Sequence, residues 1–187
     1  NLLDIEAAVQ LIADFDETTF AVLKHNNACG LASRNQLEDA WKDALAGDPV
    51  SAFGGVLITN AEVDGKTAEE INKLFFEIII APSYDEKALE VLKQKKNRII
   101  LKSVKGLNNT RLSRTLLNGT IEQDRDLHTD STDDLDVVTT IAPTAAEREA
   151  LLFASKVCKH SKSNAIVLAN NGQLLASGVG QTSRVDA

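Results

Sequence analysis

Residues 76–101 read FEIIIAPSYDEKALEVLKQKKNRIIL. Ile78-Ile79-Ile80-Ala81 is apolar without alternation, the pattern of a strand buried on both faces, and Pro82 ends it. Ser83 or Asp85 is placed to cap a helix predicted from about Glu86 to Lys95, and Arg98 to Leu101 returns as a strand. A strand, a helix and a second strand within roughly 30 residues make a βαβ unit. Upstream the same alternation recurs. Residues 3–13 form a helix closed by Asp14 and Asp16, and Phe20 to Leu23 form a buried strand ending in Lys24 and His25. His25 to Ser33 reads as a polar turn, and Gln36 to Ala46 as a helix stopped by Gly47-Asp48-Pro49. Ser51 to Ile58 reads as a loop running into a strand. After a turn at Asp64-Gly65, Thr67 and Glu70 have capping-box spacing for a helix reaching about Phe76. Four such alternations predict an α/β fold, a three-layer αβα sandwich with helices on both faces of a mainly parallel sheet.

Downstream the pattern weakens. Residues 102–136 contain Gly106, Asn108, Asn109, Gly119 and seven acids from Glu122 to Asp136, and are expected to form a long loop with one or two strands. Pro143 opens a predicted helix through about Lys159. Ala165 to Ala169 and Gln173 to Ser177 flank Asn170-Asn171-Gly172, a strong hairpin signal, so an antiparallel pair is expected near the carboxyl end. No internal repeat interrupts the chain, and residues 1–187 are read as one domain.

Composition sets outer bounds. Of 187 residues, 43% are hydrophobic and 25% charged, as in an ordinary globular domain able to bury a core without a metal or disulfide. Twenty Lys and Arg against 27 Asp and Glu give a net charge of −7, which disfavours nucleic acid and anionic membranes as partners. No apolar run approaches the roughly 20 residues that span a bilayer. Cys29 and Cys158 lack metal-ligand spacing, and a reducing cytoplasmic setting is expected. The absence of Met leads us to expect a piece of a longer polypeptide or a chain that has lost its initiator.

Several strings carry candidate chemistry. Lys24-His25 at a strand end pairs a base that works near neutral pH with an ammonium, in a place where ligand crevices of parallel sheets form; a capping lysine beside a half-buried histidine would look the same. Ser51-Ala52-Phe53-Gly54-Gly55 could offer backbone N–H groups to a ligand or simply turn into a strand, and no P-loop or dinucleotide motif is present. Lys159-His160-Ser161-Lys162-Ser163-Asn164 places an amide at the mouth of an apolar strand, where a ligand or a neighbouring loop must satisfy it. Arg184 follows Gly178 and Gly180 and suits either a phosphate or solvent. The acids between Glu122 and Asp136 lack the Gly and terminal Glu of a calcium loop. Cys29 reads better as a small packed residue than as a nucleophile.

Seven blocks taken together carry a resemblance: VLKHNNACG (22–30), DPVSAFGG (48–55), EIIIAP (77–82), KKN (95–97), QDRD (123–126), KSNAIVLA (162–169) and GVGQTSRVD (178–186). In that order they resemble the formyltransferase portion of the bifunctional purine-biosynthesis enzymes that join 5-aminoimidazole-4-carboxamide ribonucleotide (AICAR) transformylase to inosine monophosphate (IMP) cyclohydrolase. The resemblance covers nearly the whole chain. It implies a cytidine deaminase-like fold, with this chain as the first of two copies and with the cyclohydrolase domain and carboxyl-terminal part of the transformylase absent. HxE and PCxxC are missing, so no zinc is expected. Ala28 stands where many relatives have proline, and Asn118-Gly119-Thr120 replaces a more usual Gly-Gly pair.

The resemblance also implies roles. Formyl would pass from 10-formyltetrahydrofolate to the 5-amino group of AICAR, with His25 as base, Lys24 stabilising the oxyanion or protonating the leaving nitrogen, and Asn164 orienting the reactants. Gly54 and Glu77 would hold the nucleotide, with Glu77 on the ribose hydroxyls, and Arg184 is assigned to the same site or to the dimer that completes it. A homodimer, a potassium ion near Cys158 to Ala165, and inactivity of this fragment alone are further implications. The alternative is a non-catalytic ligand-binding or dimerisation module of the same fold.

Overall fold

The computed structural model describes residues 1–104 and 110–187; the expected loop residues Gly106, Asn108 and Asn109 lie outside it. In chain order the elements are α1 (Leu2–Ile12), β1 (Thr19–Lys24), β2 (Asn27–Ser33), α2 (Leu37–Gly47), β3 (Gly55–Thr59), α3 (Gly65–Ile71), β4 (Phe76–Ala81), α4 (Glu86–Leu92) and β5 (Ile99–Lys102), followed by β6 (Arg111–Leu116), β7 (Gly119–Asp124), a 3-10 turn (Thr132–Asp134), α5 (Ala145–Lys159), β8 (Ile166–Asn170) and β9 (Gln173–Gly178). The α/β class, the buried central strands and the carboxyl-terminal hairpin match the sequence reading.

Side chains alternate across a strand, so each central strand feeds two cores. Phe20, Val22, Leu57 and Ile79 face Trp41, Ile71 and Leu92 of α2, α3 and α4. Ala21, Leu23, Val56, Ile58, Ile78 and Ile80 face Leu11 of α1, Phe15, and Phe153 and Val157 of α5, which share one core. Three layers result, α1 and α5 on one face of the sheet and α2, α3 and α4 on the opposite face. Edge-to-face aromatic pairs lock each core, Phe20 with Trp41 at 5.1 Å and Phe15 with Phe153 at 5.5 Å between ring centroids.

The seven-stranded sheet has the order β5-β4-β3-β1-β2-β9-β8, and β6 and β7 form a separate hairpin. β3, β4 and β5 are mutually parallel, whereas β1 is antiparallel to both β3 and β2, and β9 to both β2 and β8. Following those directions, β2, β3, β4, β5 and β8 run one way and only β1 and β9 run against them. The reversal of β1 has a local cause. His25 and Asn26 have φ of 53° and 65°, and Lys24 pairs with Asn27, so a two-residue turn folds β2 straight back on β1. The polar turn expected over His25 to Ser33 is therefore a tight corner followed by a strand. The Asn171-Gly172 turn between β8 and β9 is of the same kind, with φ of 47° and 64°.

Other boundaries shift for capping reasons. Asp64, not Thr67, caps α3 by accepting from the Thr67 N–H at 2.7 Å, and the helix ends at Ile71 rather than near Phe76, which opens β4. Asp85 caps α4, which stops at Leu92. Pro143 lies just before the cap of α5; Thr144 and Glu147 form the capping box. Arg34 ties β9 to the body, its guanidinium donating to Asp43 at 2.6 Å and to the Asn171 carbonyl at 2.8 Å. At the opposite end of α5, Asp14 receives Lys159 at 3.1 Å and His160 at 2.6 Å. No helix among the described residues is long and apolar enough to cross a membrane.

Candidate functional site

Strand register decides where the candidate side chains meet. Leu23 pairs with Val56 and Gly55 with Phe76, so Lys24, Gly54 and Glu77 stand at one end of three adjacent strands. Because β1 is reversed, this is the amino-terminal end of β3 and β4, not the carboxyl-terminal crevice that a purely parallel sheet would have supplied. His25 takes the first corner of the β1–β2 turn and is exposed.

Three contacts assemble the pieces. The Lys24 ammonium donates to the Phe53 carbonyl at 2.7 Å, fastening the loop before β3, and the Gly54 N–H donates to the Phe75 carbonyl at 2.9 Å, fastening that loop to the one before β4. Gly54 has φ of 74°, a conformation in which a β-carbon is strained. From α1, Asp4 accepts from the Asn26 N–H at 2.7 Å and Asn1 donates to the Glu77 carboxylate at 2.5 Å. The sequence reading missed α1 as a wall of the site, since nothing in an amphipathic helix announces which loop its amino end will meet. It also missed the exposed pair Phe53 and Phe75, whose rings meet beside Gly54 at 5.0 Å between centroids with their planes tilted by 40°.

Electrostatics sort the neighbours. Burial pushes the Cys29 thiol up to about 11, and its Sγ lies 3.4 Å from the Val22 carbonyl, so it packs as a neutral thiol and is no nucleophile. Hydrogen bonds from Ser51 hold the Asp48 carboxyl below its ordinary range, with the Lys24 ammonium adding a smaller contribution. An ionised carboxylate thus faces the Lys24 side of the site.

Asn164 belongs to a second loop on the same end of the sheet. Ile166 pairs with Gly178, and the backbones of Asn164 and Gln181 exchange hydrogen bonds at 3.2 Å while the Asn164 amide donates to the Gln181 carbonyl at 3.0 Å. The neighbouring loop thus satisfies the donor side of the amide. β8 lies three strands from β1, about 14 Å at the usual spacing, so Asn164 shares the end of the sheet with Lys24 and His25 without touching them. Arg184 is exposed and makes no hydrogen bond or ion pair among the described residues. No group of three or more His, Cys, Asp or Glu suited to a metal occurs among the described residues.

Against this geometry, comparison with known proteins is decisive. Residues 1–187 match the family described as the AICARFT/IMPCHase bienzyme. The chain belongs to that family. It is 64% identical over 187 residues to the bifunctional purine biosynthesis protein PurH of Bacteroides thetaiotaomicron. It is 46% identical over 188 residues to the protein of that name from Aquifex aeolicus and 43% over 189 to that from Leuconostoc citreum. In each case all of this chain is covered but only 37% of the relative, so the chain spans little more than a third of these AICARFT/IMPCHase proteins.

Proposed function

We propose that this chain forms the first half of an AICAR transformylase site, in a protein that also carries IMP cyclohydrolase activity and acts in the cytoplasm. The observation that carries the reading is the convergence of Lys24, His25, Gly54 and Glu77 on one end of the sheet through the β1–β3–β4 register, within a chain of this family. The 5-amino group of AICAR is a weak nucleophile because its lone pair is delocalised into the ring and carboxamide. His25 takes its proton as the nitrogen attacks the formyl carbon of 10-formyltetrahydrofolate. Lys24, with two N–H donors left after its bond to Phe53, faces the oxyanion that forms. The bond from the formyl carbon to N10 then breaks, N10 takes a proton, and the products are the 5-formamido nucleotide and tetrahydrofolate. Asn164 presents its amide oxygen, which accepts no hydrogen bond among the described residues, to one of the reactants. Glu77 accepts from the ribose hydroxyls, Gly54 lets the ligand approach the main chain, and Arg184 serves the nucleotide or the dimer.

The three strand spacings between β1 and β8, about 14 Å, support a site completed by further chain, including a partner subunit in a homodimer. An exposed apolar groove of about 920 Å³ formed by Val137, Val138, Ile141, Leu151, Leu168 and Leu175 also supports association. No zinc enters the reading. In the segment expected to hold potassium, the carbonyls of Cys158, Lys162 and Asn164 already accept hydrogen bonds, and the chemistry proposed needs no cation there.

The test is formyl transfer to AICAR in a full-length protein carrying this sequence, followed by the absorbance of the folate product. Lys24→Ala and Asn164→Ala should each lower kcat at least a hundredfold, in the range expected for lost transition-state donors. Activity within tenfold of wild type in both would overturn the assignment and favour a non-catalytic binding or dimerisation module.

A further inference from the structure

The corner that presents His25 is held from outside its own hairpin. His25 and Asn26 have φ of 53° and 65°, and neither is the glycine that enters this region without strain. An asparagine at such a corner ordinarily offsets the strain by bonding its short amide locally, but the Asn26 side-chain oxygen is buried with no hydrogen-bond partner. Two side chains grip the backbone instead. The Asn27 amide donates to the His25 carbonyl at 2.9 Å, and the Asp4 carboxylate accepts from the Asn26 N–H at 2.7 Å.

Asp4 has the firmer hold. A bond to a carboxylate is roughly twice as strong as one between neutral groups. Its side chain is only 20% exposed, so water competes little for it. The helix that carries it is itself fixed, seated on the sheet by the fully buried Ala8 and Leu11 and tied beyond its far end where Asp14 receives Lys159 and His160. An acid in the first turn of a helix complements the helix dipole wherever its side chain points. Asp4 does more, reaching a backbone N–H 22 residues along the chain, in the turn that holds the candidate base. Residues in a strained corner that several outside contacts hold in place are a recurrent feature of active sites.

We propose that Asp4 is a positioning residue for formyl transfer: through the Asn26 N–H it fixes the corner, and with it the direction in which the His25 imidazole meets the substrate amine. That role rests on the transformylase reading and adds to it a residue that touches no reactant. A general base must stand within hydrogen-bond reach of the proton it takes, so a corner free to relax loses rate rather than substrate affinity. Lys24 keeps its own anchor on the Phe53 carbonyl and Gly54 its own on the Phe75 carbonyl, so the groups assigned to the nucleotide and the oxyanion stay in place.

The experiment measures kcat and KM in the full-length protein carrying this sequence and in its Asp4→Ala, Asp4→Asn and Asp14→Asn variants. Asp4→Ala should lower kcat about ten- to hundredfold while the KM for AICAR moves less than about threefold. Asp4→Asn keeps an acceptor oxygen in place and should stay within about fivefold of wild type. Asp14→Asn weakens the tie beyond the other end of α1 without touching the corner, and should lower Tm with kcat unchanged. Asn26→Gly added to Asp4→Ala lets the corner keep its φ without the bond and should raise kcat at least about threefold over Asp4→Ala alone. A kcat within about threefold of wild type in Asp4→Ala, an equal fall in Asp14→Asn, or no gain from Asn26→Gly would each overturn the positioning role while leaving the transformylase reading intact. Absence of formyl transfer in the wild-type protein overturns that reading, and the role of Asp4 with it.

Discussion

His25 holds two positions at once, corner of a turn and base, and substitution can separate them. At φ of 53° it occupies the left-handed region, which costs an ordinary L-residue on the order of 1–2 kcal/mol and asparagine less, because the short amide bonds locally. The imidazole is exposed, so its removal opens no cavity. His25→Asn should therefore stay within about 0.5 kcal/mol of wild-type stability. His25→Gly relieves that strain and gives back about 0.5–1 kcal/mol in unfolded-state entropy, for a net change of about 0 to 1.5 kcal/mol in its favour. Chemistry should respond on a different scale. Loss of a general base costs about 10²- to 10⁴-fold, or roughly 2.7–5.4 kcal/mol at 1.36 kcal/mol per decade. Urea unfolding reports the first quantity, and kcat for formyl transfer in the full-length protein reports the second. Both variants should be folded and slow. If either retains kcat within tenfold, His25 is a turn residue and the base must be sought elsewhere on this end of the sheet.

Two further outcomes follow from packing and burial. A β-carbon on Gly30 would sit 2.0 Å from the Ala44 carbonyl oxygen and 2.9 Å from its carbon, both backbone atoms, so α2 must move off β2. Gly30→Ala should cost about 3 kcal/mol or more, a fall in Tm of about 6–12 °C, against almost none for Gly119→Ala, whose nearest atom is 3.9 Å away; a loss below about 1 kcal/mol would contradict the packing. Cys29 should resist alkylation at pH 8 while exposed Cys158 reacts, as counted by mass spectrometry, and equal labelling would refute its burial. With the folded value raised from 9.0 to about 11, its contribution to stability is complete below the ordinary value and is lost as pH rises through the folded one.

The parts of the fold legible in the sequence were those carried by local rules. Ile78 to Ala81 had no polar residue to place outward, Asn171-Gly172 had the backbone freedom of a two-residue turn, and both appear as read. The turn at His25-Asn26 was not legible, because neither residue is the glycine that normally marks a positive φ, and Asn27, Gly30 and Ser33 give β2 the composition of a loop. That single miss put Lys24 and His25 at the wrong end of the parallel strands. The extra walls from Asn1, Asp4, Phe53 and Phe75 depend on contacts between segments far apart in the chain. The chemistry proposed came from motif resemblance, since Lys24-His25 alone is as compatible with a cap as with a base.

The reversed β1 explains how one end of this acidic molecule gathers cationic side chains. Had β1 run parallel to β3, Lys24 would have emerged at the opposite end of the sheet from the loops that precede β3, β4 and β5. Folding back at His25 instead brings the Lys24 ammonium to the end that already holds Lys95, Lys96 and Arg98, two strands and more away. The acids gather elsewhere, with seven between Glu122 and Asp136. A net charge of −7 then keeps the body repulsive to polyanions, while low-dielectric walls such as Phe76 and the Phe53–Phe75 pair focus the local cationic field on small anions. Small ligands bearing a phosphate or carboxylates would be favoured by that contrast, which a charge count over the whole chain does not reveal.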